Sequence, residues 1–175
     1  MLPFYAAGSY QPIMYRPPMT QMMQQQTPSM QTNSYAMYQT NQQAVLPLLQ
    51  KAVQGERNDE LFYDYLIQNA PSQEDIDIIT SIRNDERRHR RMFKQIYYTL
   101  TGQMIEASSS EPFEKPTSYL NGIQKALFGE LSAVELYRRI YFMVPYKVFK
   151  NMVFEILTDE VKHASKYNYL YAKNK

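Results

Sequence analysis

The 175-residue chain contains no cysteine and no tryptophan, and only five of its residues are glycine. Without cysteine there is no disulfide framework, no thiolate nucleophile, no Cys-ligated zinc and no iron–sulfur centre, so any metal chemistry must rest on oxygen and nitrogen ligands. A strong charge of either sign is also missing. The 19 Lys and Arg against 17 Asp and Glu leave a formal +2, which gives no reason to expect nucleic acid or another polyanion as partner. Apolar runs extend only a few residues, far short of the roughly 18 that cross a bilayer. The N-terminus has no basic segment followed by an apolar one. These absences predict a soluble, cytoplasmic protein with no membrane partner, and the length predicts a single folded domain.

What is present divides into two unlike parts. Residues 1–43 carry one charge, Arg16, together with seven of the 11 Met, five of the 10 Pro and nine Gln. No helical or strand period runs through them, and their few aliphatic residues cannot offset the entropy of ordering, so this part is predicted to be a disordered tail. It reads either as a flexible leader or, because Tyr, Gln and Met are sticky uncharged side chains, as a segment that docks an assembly partner. Residues 44–175 differ: apolar residues recur every three or four positions over segments of about 25 residues. Stops near Pro71, Thr101-Gly102 and Pro145, with Ser72 and Asp75 as a capping pair, predict helices over 44–69, 72–99, 117–143 and 146–172. The stretch 101–116 is longer than ordinary helix connections. It can extend about 50 Å, enough to run the length of a helix of about 42 Å, which predicts two hairpins joined by a crossover.

Sliding the chain against itself by 74 positions reveals an internal repeat. Gln50-Lys51-Ala52 meets Gln124-Lys125-Ala126, Gly55-Glu56 meets Gly129-Glu130, and Tyr63 meets Tyr137. Pro71 meets Pro145, Asp85-Glu86 meets Asp159-Glu160, and His89 meets His163. With Leu46/Leu120, Ile82/Ile156 and Tyr97/Tyr171 there are 13 identities over 52 positions, and both histidines of the chain are among them. A duplicated helical hairpin makes a pseudo-symmetric four-helix bundle.

The inward stripes traced by steps of three and four include Leu49, Val53, Glu56, Glu60, Tyr63 and Ile67 on the first helix, and Ile82, Glu86, His89 and Phe93 on the second. The third and fourth give Ile123, Leu127, Glu130 and Tyr137, then Ile156, Glu160, His163 and Tyr167. An unpartnered buried carboxylate costs several kcal/mol, and no Arg or Lys lies on these stripes to offset it. Glu56 precedes the bend near residue 69 by about 20 Å of helix and Glu86 follows Pro71 by about 22 Å, so the two lie at one level. The repeat copies that geometry. One Glu from each of two helices and Glu-x-x-His from each of the other two is the di-metal carboxylate arrangement of ferritin-like bundles. Glu56, Glu86, His89, Glu130, Glu160 and His163 are therefore predicted to be metal ligands, and four carboxylates balance two divalent cations. Without metal, such a cluster should hold protons well above the ordinary Glu pKa of about 4.3.

Around these ligands, Asp85 and Asp159 are placed to accept the free ring N–H of the opposing hairpin's histidine, with surface helix acids as the plainer reading. Tyr63 and Tyr137 lie two turns beyond Glu56 and Glu130, where a phenol either hydrogen-bonds a ligand carboxylate or bound oxygen species or simply packs in the core. Glu60 faces Val134 in the repeat and reads as a fifth, mobile carboxylate or as a partly exposed side chain.

The elements Gly55-Glu56 with Tyr63, Asp85-Glu86-Arg87-Arg88-His89, Gly129-Glu130 with Tyr137, and Asp159-Glu160-Val161-Lys162-His163 resemble the rubrerythrin and ferritin-like di-iron carboxylate superfamily over about 130 residues. The first His motif also resembles the D-E-x-R-H pattern of bacterial di-iron oxidases. The resemblance implies an all-α, ferritin-like fold and two bridged iron ions that react with peroxide or dioxygen. It also implies an oxidoreductase that reduces peroxide or oxidises ferrous iron, and a homodimer by family habit. Rubrerythrins carry a further Glu three residues after the third-helix ligand, where this chain has Ala133, and no rubredoxin-like module is present, so electrons come from a separate donor or from ferrous iron. Carboxylate oxygens with one imidazole per metal suit manganese as well as iron, so a dimanganese catalase-like enzyme is the enzymatic alternative. A structural protein of a layered assembly such as a spore coat, acting through the tail, is the non-enzymatic one.

Overall fold

A computed structural model describes residues 43–54, 56–105 and 113–175, with the side chains of 56–59 left undescribed. The expected tail, except for Gln43, and the ligand side chain of Glu56 lie outside the described residues. All described elements are α-helices: α1 (43–54), α2 (Glu56–Gln68), α3 (Gln73–Thr101), α4 (Tyr119–Met143) and α5 (Lys147–Asn174). The expected first helix is covered by α1 and α2, with residue 55 between them outside the described residues, and the other three match their expected spans to within about two residues.

Local chemistry sets the ends. Ser72 sits in extended conformation and its Oγ accepts the Asp75 N–H at 3.3 Å, while the Ser72 hydroxyl donates to Asp75 Oδ1 at 2.8 Å. Gly102 closes α3 in the left-handed region, φ +71°, where a side chain would be strained, and its N–H donates to Tyr98 O at 2.7 Å. Ser118 Oγ caps α4 by accepting the Asn121 N–H at 3.1 Å. Val144, extended because Pro145 follows it, ends α4.

The packing runs α2 against α3, α3 against α5, α5 against α4 and α4 against α2. Lys173 donates to Ser72 at 3.0 Å and Lys166 to Ser81 at 2.9 Å, while Arg88 pairs with Glu155, so numbers rise on α3 as they fall on α5 and the two are antiparallel. Leu66 lies over Gly122 in the same sense for α2 and α4. These directions require the connection from Thr101 to Tyr119 to travel the length of the bundle as a crossover, of which residues 106–112 lie outside the described part.

Two apolar clusters fill the bundle. One joins Leu49, Val53, Phe93, Tyr137, Ile140 and Ile156; the other joins Tyr63, Leu66, Ile79, Ile82, Ile123 and Tyr167. Between them, in sequence on every long helix, lie the buried polar residues His89, Glu130, Asp159, Glu160 and His163. Leu66 is fully buried where the expected stripe had Ile67, which is half-buried.

At the far end of α3, Asp75 is fully buried and accepts from Lys173 at 2.5 Å, Asn174 at 2.8 Å and Tyr119 at 3.1 Å. Burial pushes its carboxyl up, but Lys173, Ser72, Asn174 and Tyr119 together hold it below its ordinary 3.8. One carboxylate thus ties the starts of α3 and α4 to the end of α5. Asp75→Ala strands these donors and is expected to cost about 3 kcal/mol, a fall of about 6–12 °C in Tm. Because the folded carboxyl titrates below its unfolded value, its contribution is present above about pH 4 and lost on acidification. Thermal melts at pH 7 and pH 3 should show a smaller difference between wild type and variant at the lower pH.

Candidate metal centre

Glu86 and His89 sit one turn apart on α3, and Glu160 and His163 one turn apart on α5, so each pair shares a helical face. Antiparallel packing of α3 on α5 brings the two faces together at mid-length, and α4 adds Glu130 from the side. Glu86, Glu130, Glu160 and His163 offer ligand atoms that all lie within 4.8 Å of one another. His89 completes the group from the other side.

The distances pair up under the 74-residue offset. His163 Nδ1 lies 2.9 Å from Glu86 Oε1, and His89 Nδ1 lies 3.1 Å from Glu160 Oε1. Within each helix, His89 Nδ1 to Glu86 Oε2 is 3.5 Å and His163 Nδ1 to Glu160 Oε2 is 3.6 Å. Glu86 and Glu160 therefore each span both imidazoles with their two oxygens. Of the two imidazoles, the one Glu130 lies beside is His163, at 3.7 Å.

The outward nitrogens are held symmetrically as well. His89 Nε2 is 3.1 Å from Asp159 Oδ2, and His163 Nε2 is 3.2 Å from Asp85 Oδ2, each aspartate serving the opposite hairpin. With Nε2 held by the aspartate, Nδ1 is the ring nitrogen that faces the centre. Arg88 Nη2 donates to both aspartates, at 3.2 Å to Asp85 and 2.7 Å to Asp159, and Lys162 adds a bond to Asp159 at 2.6 Å. Periodicity does not single out Arg88, which lies off the apolar stripe. Its charge beside two acids on adjacent helices becomes visible only once the helices pair.

Glu60 lies apart from this cluster. Arg87 Nε donates to its Oε1 at 2.9 Å and Arg90 lies 3.6 Å away, and the Arg87 hydrogen bond holds its carboxyl below the ordinary value. Tyr63 and Tyr137 are buried, and both line a cavity of about 260 Å³ that reaches Glu86, Glu130 and Glu160. Tyr137 also packs on Phe93, ring centroids 4.8 Å apart.

The donor set fits a cation. Glu86 Oε1, Glu160 Oε1, His89 Nδ1 and His163 Nδ1 are buried without a hydrogen-bond partner, although they stand in two close pairs, His163 with Glu86 at 2.9 Å and His89 with Glu160 at 3.1 Å. Buried polar atoms are nearly always hydrogen-bonded, and ligand atoms of Glu86, Glu130, Glu160 and His163 crowded within 4.8 Å of one another suit an ion among them. With protons in place of cations, burial pulls both histidines down, but the facing carboxylates outweigh it: Glu160 and Glu86 raise His89 to about 10, and Glu130, Glu160 and Glu86 raise His163 to about 12. Burial, with Glu160 beside it, drives Glu130 well above 4.5. Burial acts against Glu160 too, yet Glu130, His163 and His89 hold it down at about 2.

Comparison with known proteins points the same way. A family model described as Rubrerythrin matches residues 47–171. The chain belongs to the rubrerythrin family. It is 33% identical over 116 residues to "Uncharacterized protein YhjR" of Bacillus subtilis (strain 168), an alignment that covers 66% of this chain and 79% of that one. No solved structure matches the chain. Among the described residues of this rubrerythrin, no helix is long and apolar enough to cross a membrane.

Two outcomes follow for the rubrerythrin centre. Metal and protons compete for the same atoms, so loading at pH 7 should expel about two protons from the imidazoliums, plus whatever Glu130 then holds, and affinity should rise with pH. Titration in two buffers of different ionisation enthalpy measures this; no proton release would contradict the geometry. Arg88→Ala should free Asp85 and leave Asp159 held by Lys162, and weaken metal binding about tenfold to a hundredfold, as read by chelator competition.

Proposed function

We propose that this rubrerythrin holds two iron ions and works as an oxidoreductase on peroxide, or on dioxygen with ferrous iron, using electrons from a separate donor protein. The supporting observation is the convergence of unpaired, buried Nδ1 and Oε1 atoms from two helices on one centre. When bound, two ferrous ions supply one electron each, so that the O–O bond of peroxide is cleaved in a two-electron step.

The chain's own residues do the rest. Glu86, Glu130, Glu160, His89 and His163 would hold the ions, Glu86 and Glu160 because each lies beside both histidines and Glu130 because it lies beside His163; the repeat nominates Glu56 as a further ligand. Asp85 and Asp159 fix the ring orientations. The two apolar clusters bound the layer on both sides and lower the dielectric around it, which strengthens the charge interactions within it. Tyr63 and Tyr137, in the cavity wall, present phenols where a peroxide oxygen would receive a proton.

Protein purified without added metal should contain two iron equivalents per chain, and Glu160→Ala should lose most of both. With a reductant, the wild type should consume hydrogen peroxide. Two equivalents of manganese with oxygen evolution would favour a catalase-like reaction instead, and less than one equivalent of any metal would overturn the di-metal reading.

A further inference from the structure

The cavity beside the centre is larger than the proposed reaction requires. Its floor is Glu86, Glu130 and Glu160, and its volume is about 260 Å³. A water molecule takes roughly 30 Å³ of liquid, and hydrogen peroxide, with two heavy atoms, about twice that. An apolar cavity of about 150 Å³ already accepts a benzene molecule. The space here therefore suits a substituted ring or a branched alkyl group together with a peroxide.

One face of α4 creates the volume. Ala126, Gly129 and Ala133, three and four residues apart, all line it, opposite Phe62 of α2. Gly129 is the informative member. Glycine inside a helix costs about 1 kcal/mol relative to alanine. This one has no positive φ, and a Cβ placed on it would meet nothing within 4 Å. Neither backbone conformation nor packing explains glycine there, whereas an entrance kept open does. Lys125 stands at the rim, half-exposed and 3.7 Å from Glu114.

We propose that this cavity selects organic hydroperoxides with a compact aromatic or branched alkyl body, seating the body against Phe62, Ala126 and Ala133 and the –OOH end over Glu86, Glu130 and Glu160. The reductive step rests on the di-iron reading above; the fit of the apolar body does not. In that step the O–O bond breaks, RO takes one proton and leaves as the alcohol, and OH takes another and leaves as water. Two ferrous ions lose one electron each: ROOH + 2 Fe(II) + 2 H⁺ gives ROH + H2O + 2 Fe(III).

The test pairs a binding probe with a selectivity measurement on the full chain. The probe is 2-phenyl-2-propanol, the alcohol formed from cumene hydroperoxide, followed by saturation-transfer NMR with and without bound iron. Wild type should bind it, and Ala133→Phe should weaken binding tenfold or more. Gly129→Leu, at a position with open space, serves if the first variant fails to fold. The ratio of kcat/KM for cumene hydroperoxide over hydrogen peroxide should fall about tenfold in the same variants. Absence of alcohol binding to wild type, or binding unchanged in both filled variants, overturns the inference even if hydrogen peroxide is consumed. Binding that both variants abolish, with neither peroxide consumed, supports the cavity assignment and overturns the peroxide-reducing function instead.

Discussion

Three carboxylates and two imidazoles share a buried layer midway along the bundle, and their mutual neutralisation is the condition on which the remaining structure depends. Burying one unpaired ion costs several kcal/mol even after relaxation. Here Glu160 and His163 are 1% and 0% exposed, so solvent contributes almost nothing. Two solutions are open to the layer. Protons can supply the positive charge, which is why His89 and His163 are pushed to about 10 and about 12 and Glu130 is driven up. Cations can take the place of those protons, and the unpaired Nδ1 and Oε1 atoms already face the space they would fill. Exchange of one for the other changes charge locally without asking the helices to move.

The helices stay put because the layer is clamped from both sides and from behind. Apolar clusters above and below fix the rotation of each helix about its axis, since a turn of one residue would carry a carboxylate into Ile82 or Ile156 territory. Behind each histidine stands an aspartate from the opposite hairpin, so ring orientation depends on the α3–α5 pairing. Arg88 then spans both aspartates and reaches out to Glu155, carrying the alternation of charge from the centre to solvent. Ligand geometry is thus set by helix packing, and helix packing is reinforced by the groups that orient the ligands.

Much of this was legible in the sequence because the decisive signals are local. A Glu and a His three apart on an apolar stripe, repeated 74 residues on, specify a shared face, and Ser72 with Asp75 specifies where α3 begins. What was not legible involves two helices at once. Glu60 lies on the inward period of its own helix, yet Arg87 and Arg90 of α3 reach it, and a one-helix pattern cannot register that charge. Leu66 displaces Ile67 from the core because the α2–α4 crossing puts Leu66 over Gly122, a close approach invisible in either helix alone. Arg88 is off the stripe and gains its role only when Asp159 arrives. The cavity is emptiness between α2 and α4, and a sequence hints at emptiness only through a glycine that its helix does not need.

The two halves of the centre match in distance but not in support. Position 88 corresponds in the repeat to position 162, and both residues there, Arg88 and Lys162, bond Asp159. Among the described residues, Arg88 is the one Lys or Arg that bonds Asp85. The difference follows from the side chains: a guanidinium forks across two acceptors, whereas an ammonium on a flexible stem serves the nearer one. Asp159, 9% exposed, is consequently pinned by two cations behind His89, while Asp85, 27% exposed, holds His163 with one. The His163 half is also the half that Glu130, which lines the cavity, approaches. Of the two histidines, His89 with Asp159 is therefore the more tightly held, and His163 with Asp85 the more readily displaced.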